Sequence, residues 1–239
     1  MGTLQGTEYY ISKRMGRAIM DYKMLADGDK IAVAVSGGKD SLTLLRLLLD
    51  RKVFVPIRYE VVALHIDMGY PKSISAKLEK YFKKLKVKYE IIKSDVLKKT
   101  EKDKINCFWC SWNRRKELFI AADKLGCTKI ALGHHMDDII ETVLLNLFFQ
   151  GEISSMVPKQ SLFKGKITLI RPLAYVEERL IERFAKETEL GHDTCVCPHS
   201  IVSNRNRVGR IIRELEKVCP DIKKNIFRSV KRIKKDYLL

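Results

Sequence analysis

Six consecutive residues, Ser36-Gly37-Gly38-Lys39-Asp40-Ser41, carry the groups that hold a phosphate. Two glycines let the backbone approach an anion with no Cβ in the way. Where such a segment leaves a strand and opens a helix, the exposed N–H groups and the positive dipole end favour negative charge. Ser36 and Ser41 add hydroxyl donors, and Lys39 adds a point charge. Asp40 is repelled by phosphate unless it caps backbone donors or holds a metal, which points to a structural role or to Mg²⁺. The spacing is not that of the Walker loop, G-x-x-x-x-G-K-S/T. An ordinary strand-to-helix turn explains the two glycines but not the six-residue cluster.

A second cluster is Gly133-His134-His135-Met136-Asp137-Asp138. Asp138, with Asp67 elsewhere in the chain, is suited to polarising a bond or holding Mg²⁺. Gly133 and His134 can border a nucleotide, with Ile66–Met68 against its adenosine. Alone, the cluster reads equally well as surface imidazoles with Asp137 as a helix cap.

A third set is Cys107-Phe-Trp-Cys110 and, 85 residues later, Cys195-Val-Cys197. Four thiolates would make a zinc site, although the single residue between Cys195 and Cys197 is shorter than usual zinc spacing. Cys107 and Cys110 alone would make a redox dithiol. Three cysteines would hold an iron–sulfur cluster with one iron open. The fourth reading is unrelated thiols. Cys127 and Cys219 have no partner spacing and read as structural.

The elements that must position these groups form a βαβ series. KIAVAV (30–35) is a continuous apolar run, as in a buried parallel strand. YEVVALHI (59–66), VKYEII (87–92), TKIALG (128–133) and ITLI (167–170) read as four more strands. Helical periodicity covers 7–26, 42–50, 76–85, 111–125, 137–149, 176–189 and 205–236. The class is therefore α/β, a Rossmann-like domain with a parallel five-stranded sheet. In the order 3-2-1-4-5, the loops after strands one and four flank the switch point, where ligands of open α/β sheets bind. That order brings Ser36–Ser41 and Gly133–Asp138 together. The expected organisation is an N-terminal helix over 1–28, a nucleotide-binding domain over 29–175 and a basic helical region over 176–239.

The chain has 46 Lys and Arg against 29 Asp and Glu, a net charge of +17. Residues 72–104 carry +7 and residues 205–239 carry +8, leaving +2 for the rest. Two basic patches on a near-neutral body suit a polyanion partner. Lys231, Arg232, Lys234 and Lys235 are the densest part of the tail and are candidate RNA contacts. A merely lysine-rich solvated surface is the alternative. No apolar run reaches the ~18 residues of a membrane span, so no membrane partner is expected. The opening MGTLQGTEYYISKR has no apolar signal core, so a cytoplasmic protein with reduced cysteines is expected.

The loop Ser36–Ser41 is similar to the PP-loop of the ATP pyrophosphatases. That likeness implies cleavage of ATP between the α- and β-phosphates. Together with Cys107-x-x-Cys110 and Arg114-Arg115, ALGHHxDDIIET (131–142), RPLAY (171–175) and Cys197 before Arg205, it resembles the TtcA family from about residue 10 to 236. These are tRNA 2-thiocytidine synthetases. The resemblance implies a 4Fe–4S cluster on Cys107, Cys110 and Cys197, with Cys195 dispensable. It implies ATP and Mg²⁺ as further requirements, and Lys39, Asp138 and Arg114 as catalytic residues. The implied reaction adenylates the C2 oxygen of an anticodon-loop pyrimidine, most simply a cytidine, and replaces it with sulfur. The implied partners are tRNA, a sulfur donor (a cysteine desulfurase or free sulfide) and a second copy in a homodimer. Alternatives are 2-thiouridine synthesis by the same chemistry, a cluster-free PP-loop tRNA ligase and a non-catalytic RNA-binding zinc protein.

Overall fold

The computed structural model describes residues 6–69, 73–96, 107–190 and 204–237, with the backbone alone for Cys107, Phe108 and Lys235. Helix α1 (Gly6–Asp21) buries Ile11, Met15, Ala18 and Ile19, one stripe at helical spacing. Strands β1 (Asp29–Ala34) and β2 (Tyr59–Asp67) are apolar on both faces. Ile31 and Val33 join Val61 and Ala63 in one core, and Ala32 joins Val62, Leu64 and Ile66 in another. The alternation is the period-2 geometry of a strand covered on both sides.

The first core is closed by α1 and by α2 (Lys39–Arg51), α3 (Ser75–Lys84) and α6 (Glu178–Glu187). The second is closed by α4 (Cys107–Lys124), through Leu118, Ala121 and Ala122. A third, smaller core joins α5 (Met136–Phe149) to α7 (Asn204–Val218) through Ile140, Leu144, Val208 and Ile212, with Phe227 of α8 (Ile222–Ser229) against it.

The remaining strands are β3 (Lys88–Lys93), β4 (Lys129–Ala131), β5 (Lys159–Leu162) and β6 (Ile167–Ile170), and the sheet order is β3-β2-β1-β4-β6-β5. β1 pairs in parallel with both β2 and β4, Val33 lying opposite Ala63 and Ala131. The chain moves one way from β1 to β3 and the other way from β4 outward. The gap between β1 and β4 is therefore the switch point, and the expected 3-2-1-4-5 order of the five parallel strands is present.

Three expectations need correction. A sixth strand, β5, lies antiparallel on the edge against β6. Its sequence, KQSL, has no β-branched residue and is largely exposed. Only the backbone pairing makes it a strand, so composition could not show it. The helix expected over 205–236 is two helices, α7 and α8, because Pro220 lacks an N–H donor and restricts the residue before it. Helix α4 begins at Cys107, not at 111, so Cys107 and Cys110 lie on its first turn. Among the described residues no helix is long and apolar enough to cross a membrane.

Candidate active site at the switch point

β1 delivers Ser36 to the open edge of the sheet, and the chain turns at Gly37, whose φ of +89° favours a residue without Cβ. Helix α2 then starts with no side-chain cap at Gly38, so its first N–H groups are left for an external anion. The two serine hydroxyls hold the loop itself. Ser41 Oγ donates to Gly38 O at 2.9 Å and accepts from Ser36 N at 3.2 Å, and the two hydroxyls lie 3.3 Å apart. Gly133 presses against the same turn. A Cβ there would stand 3.0 Å from Ser41 N and 3.1 Å from Asp40 C, tight enough that the facing backbone would have to give by a few tenths of an ångström. The close approach of the two loops thus depends on a missing side chain.

Lys39 Nζ donates to Glu178 Oε1 at 2.8 Å, on the first residue of α6, and lies 3.5 Å from Asp40 Oδ1. Burial alone would depress its pKa. The Glu178 hydrogen bond and the charges of Asp40, Glu178 and Glu182 outweigh it and hold the ammonium above the usual lysine value. Asp40 is pushed up, first by burial and then by Asp138 and Glu178, against the pull of His135 and Lys39. Its Oδ1 is buried with no hydrogen-bond partner.

His135 Nε2 bridges two carboxylates, 3.8 Å from Asp40 and 3.5 Å from Asp138. Asp138 Oδ2 also accepts the His135 backbone N–H at 3.0 Å and so caps α5. Asp137 faces elsewhere. It accepts the Glu178 N–H at 2.7 Å and pairs with Lys223 at 3.1 Å, joining the start of α5 to α6 and α8. It caps α6, so the alternative reading of Asp137 as the cap of α5 does not hold. Burial pushes His134 down to about 4, with Arg171 and Arg205 reinforcing that and Asp138 opposing it, so its imidazole is neutral near pH 7. Its Nδ1 is buried without a hydrogen-bond partner.

Two adjoining pockets open here. One is lined by Ser36, Asp40, Ser41, Gly133, His134 and Asp138, together with Arg114 and Arg115 of α4. The other is largely apolar, with Leu64, Ile66, Met68 and Ile74 beside His65 and Asp67. Ala34, Ser36, Arg114 and Leu118 line both, so they form one cleft with Arg114 between its halves. Asp67 is buttressed at the rim by Ser73 and Ser75 hydroxyls, each at 2.6 Å, and by Gly69 N–H at 2.9 Å. Burial would raise its pKa, but these hydrogen bonds prevail and hold it below the usual carboxylate value.

Helix α4 starts with Cys107 and Cys110, and its following turn supplies Ser111, Arg114 and Arg115 to the cleft. Cys110 is 7% exposed and packed in the second core. Two soft donors one turn apart at a helix start, beside the phosphate loop, fit a thiolate-bound cluster. The Cys107 side chain, Cys195 and Cys197 lie outside the described residues. Among the described residues no three His, Cys, Asp or Glu side chains group to hold a metal ion. Mg²⁺ needs fewer, since it is commonly held by one or two carboxylates plus substrate phosphates. The orphaned Asp40 Oδ1 fits that pattern.

Residues 9–215 match the PP-loop domain family. A tRNA-cytidine(32) 2-sulfurtransferase of Geobacter sulfurreducens is 40% identical over 235 residues, covering 96% of this chain and 91% of its own. The chain belongs to the tRNA-cytidine(32) 2-sulfurtransferase family. Among solved structures, the U34-tRNA thiolase NcsA of Methanococcus maripaludis with its 4Fe–4S cluster superposes with a TM-score of 0.80 at 26% identity, covering 95% of this chain and 79% of that one. The NH3-dependent NAD synthetase of Campylobacter jejuni reaches 0.51 at 15% identity, covering 95% and 93%, and shares the fold alone.

In this member of the 2-sulfurtransferase family, one site residue, Glu178, escaped the motifs, and two others, Arg171 and Arg205, stood in motifs without an assigned role. Glu178 lies 139 positions from Lys39, and no local pattern announces the pair. Arg205 was visible as a motif residue without a role. It reaches Asp138 at 3.7 Å and Glu141 at 3.4 Å. Arg171 is 6% exposed, and its Nε has no hydrogen-bond partner. Of the tail cations, Lys231 donates to Tyr175 Oη at 3.2 Å and lies 4.7 Å over the Tyr22 ring. Arg232 and Lys234 are exposed, and the Lys235 side chain lies outside the described residues.

Proposed function

We propose that this protein is an ATP-dependent, AMP-forming tRNA sulfurtransferase that replaces the C2 oxygen of a cytidine with sulfur. The cytidine is position 32, as in the names of its relatives. The observation that carries the reading is the single cleft shared by the phosphate loop, the His134–Asp138 loop and the turn of α4 next to Cys107 and Cys110.

ATP binds with its phosphates on the free N–H groups of α2 and its adenine against Ile66 and Met68. Lys39 exchanges Glu178 for phosphate oxygen, one anionic partner for another, and stabilises the charge that develops as pyrophosphate leaves. Asp40 and Asp138 hold Mg²⁺ on the phosphates. Gly133 lets the second loop close over the first, and neutral His134 offers a hydrogen bond without adding charge. Arg114, between the two halves, steadies the α-phosphate side. Asp67 marks the adenosine end.

Adenylation of the C2 oxygen turns a poor leaving group into AMP. Cys107, Cys110 and Cys197 would hold a 4Fe–4S cluster, which would carry sulfide received from the donor to the activated base. The target base must be unpaired to present C2, which an anticodon-loop nucleotide satisfies. Arg232 and Lys234, with Lys231 and Lys235 beside them, contact tRNA phosphates. The sulfur comes from a cysteine desulfurase or free sulfide, and the protein acts in the cytoplasm as a homodimer. Residues 1–28, 29–175 and 176–239 divide the work into an N-terminal helix, an ATP-binding domain and an RNA-facing region.

The likeness to a U34-tRNA thiolase gives 2-thiouridine formation as the second reading. Nucleoside analysis of reacted tRNA tests both at once. 2-Thiocytidine supports the first, and 2-thiouridine replaces it with the second.

A further inference from the structure

A groove of about 290 Å³ runs between α5 and α7, apart from the cleft, lined by Glu141, Arg205, Asn206, Gly209, Arg210 and Arg213. Asn206, Arg210 and Arg213 fall four and three residues apart, on one face of α7. Val208 and Ile212 on another face are buried against α5. Gly209 forms the floor. A Cβ there would lie 3.4 Å from Glu141 Oε1 and 3.6 Å from Arg213 Nη1, so a larger side chain would fill the space between the two helices.

The charges in this groove are unequal. Arg205 pairs with Glu141 and with Asp138. Arg210 and Arg213 are exposed, and among the described residues neither has a carboxylate within 4.0 Å. Two adjacent guanidinium groups without a counter-charge form a planar, multi-donor anion seat, better matched to phosphate oxygens than ammonium groups are. Arg205 extends from this groove to Asp138 on the wall of the cleft. One arginine side chain therefore separates the groove from the reacting centre.

We propose that the α5–α7 groove seats backbone phosphates of the substrate RNA on Arg210 and Arg213, and so aims the target nucleotide at the cleft. This rests on the tRNA reading above. A polyanion fits better than a free nucleotide, because the groove is open and continues toward a cleft that takes its own phosphates. It also differs from the tail, where Lys231 is already engaged with Tyr22 and Tyr175.

The test uses the full chain, cluster-loaded, with an unmodified tRNA carrying the target cytidine. Arg210→Gln/Arg213→Gln is expected to raise the tRNA Kd about tenfold near 0.1 M salt. It should also flatten the log Kd against log salt slope by about 1.4–1.8, two contacts at ~0.7–0.9 each. ATP binding stays unchanged. Arg210→Lys/Arg213→Lys keeps the slope and recovers part of the affinity, which a folding defect would not allow. An unchanged Kd and slope in the Gln variant overturns the proposal. Wild-type protein that forms 2-thiocytidine while the Gln variant binds as tightly sinks the groove alone. Wild-type protein that binds tRNA through these arginines but makes no product sinks the functional reading and leaves the groove standing. Wild-type protein that binds no tRNA overturns both.

Discussion

The cleft and the α7 groove handle charge in opposite ways. In the cleft, Lys39, Asp40, His135 and Asp138 are drawn into one partly buried cluster, with Glu178 and Arg205 brought from distant helices as partners. Charge there is largely compensated by the protein before any ligand arrives. In the groove, Arg210 and Arg213 stand exposed and uncompensated. A buried, paired site holds a small ligand in a fixed geometry and resists salt. An exposed, unpaired one captures a long polyanion and is screened within a Debye length of ~10 Å at 0.1 M salt. One chain thus separates positioning for chemistry from capture of the substrate.

The sharpest way to break that comparison is through the cysteines. Cys110→Ala or Cys197→Ala should lose bound iron and all thiolation, while Cys195→Ala keeps both. Iron and acid-labile sulfide assays on the purified variants read this directly. Loss in the Cys195 variant but not in the Cys197 variant moves the third ligand. Loss in both indicates a closed four-thiolate site. None of these variants should change the salt dependence of tRNA binding.

Next in size is Lys39. Lys39→Ala should lower ATP-dependent thiolation by roughly 10²–10³, the scale of losing one preorganised electrostatic contact, with iron content intact. Glu178→Gln should act with the opposite sign on binding. Freed from its carboxylate, Lys39 should hold inorganic pyrophosphate more tightly. The gain is expected at about 0.5–1 kcal/mol, since Glu178 is partly exposed. Isothermal titration with pyrophosphate checks both variants. Weaker binding by the Gln variant would mean that Glu178 aims Lys39 and does not compete for it.

The phosphate loop and its neighbour were legible because each is a contiguous run placed at a strand end. Ser36–Ser41 and Gly133–Asp138 needed only the order of the parallel strands to meet; the strand patterns marked the five strands, and the order 3-2-1-4-5, taken as a premise, is the one the sheet has. What stayed hidden depends on pairing across distance. Glu178 reaches Lys39 only because α6 packs against α2. Strand β5 exists only through backbone pairing with β6. Arg210 and Arg213 were visible as charge, but not as a groove until α7 lay on α5 with Gly209 at the contact. Asp138 was legible as a site carboxylate and faces the cleft, but that Asp137 caps α6 rather than its own helix depends on α6 packing beside it.

Two smaller effects sharpen the account of the cleft. Gly133→Ala forces a Cβ against the Ser41 and Asp40 backbone. It should cost about 1–3 kcal/mol of stability by overpacking and weaken ATP binding, leaving tRNA affinity unchanged. Chemical denaturation and separate ligand titrations distinguish these.

The smallest concerns His134, whose folded pKa is depressed from 6.5 to about 4. Between those values the unfolded chain binds a proton that the folded chain refuses. Stability therefore falls as pH drops through that window and is fully present above it. His134→Asn should remove this share of the slope, measured as the difference between variant and wild-type unfolding curves. An identical slope would mean that His134 titrates normally.

The central claim is that one cleft activates a tRNA cytidine with ATP for sulfur insertion. Its most direct test is mass spectrometry of nucleosides from unmodified tRNA incubated anaerobically with cluster-loaded protein, Mg²⁺-ATP and sulfide. The expected result is 2-thiocytidine, together with AMP and pyrophosphate, and none of the three without ATP. Thiolated tRNA formed in the absence of ATP, or AMP released with every cytidine unchanged, would contradict the account.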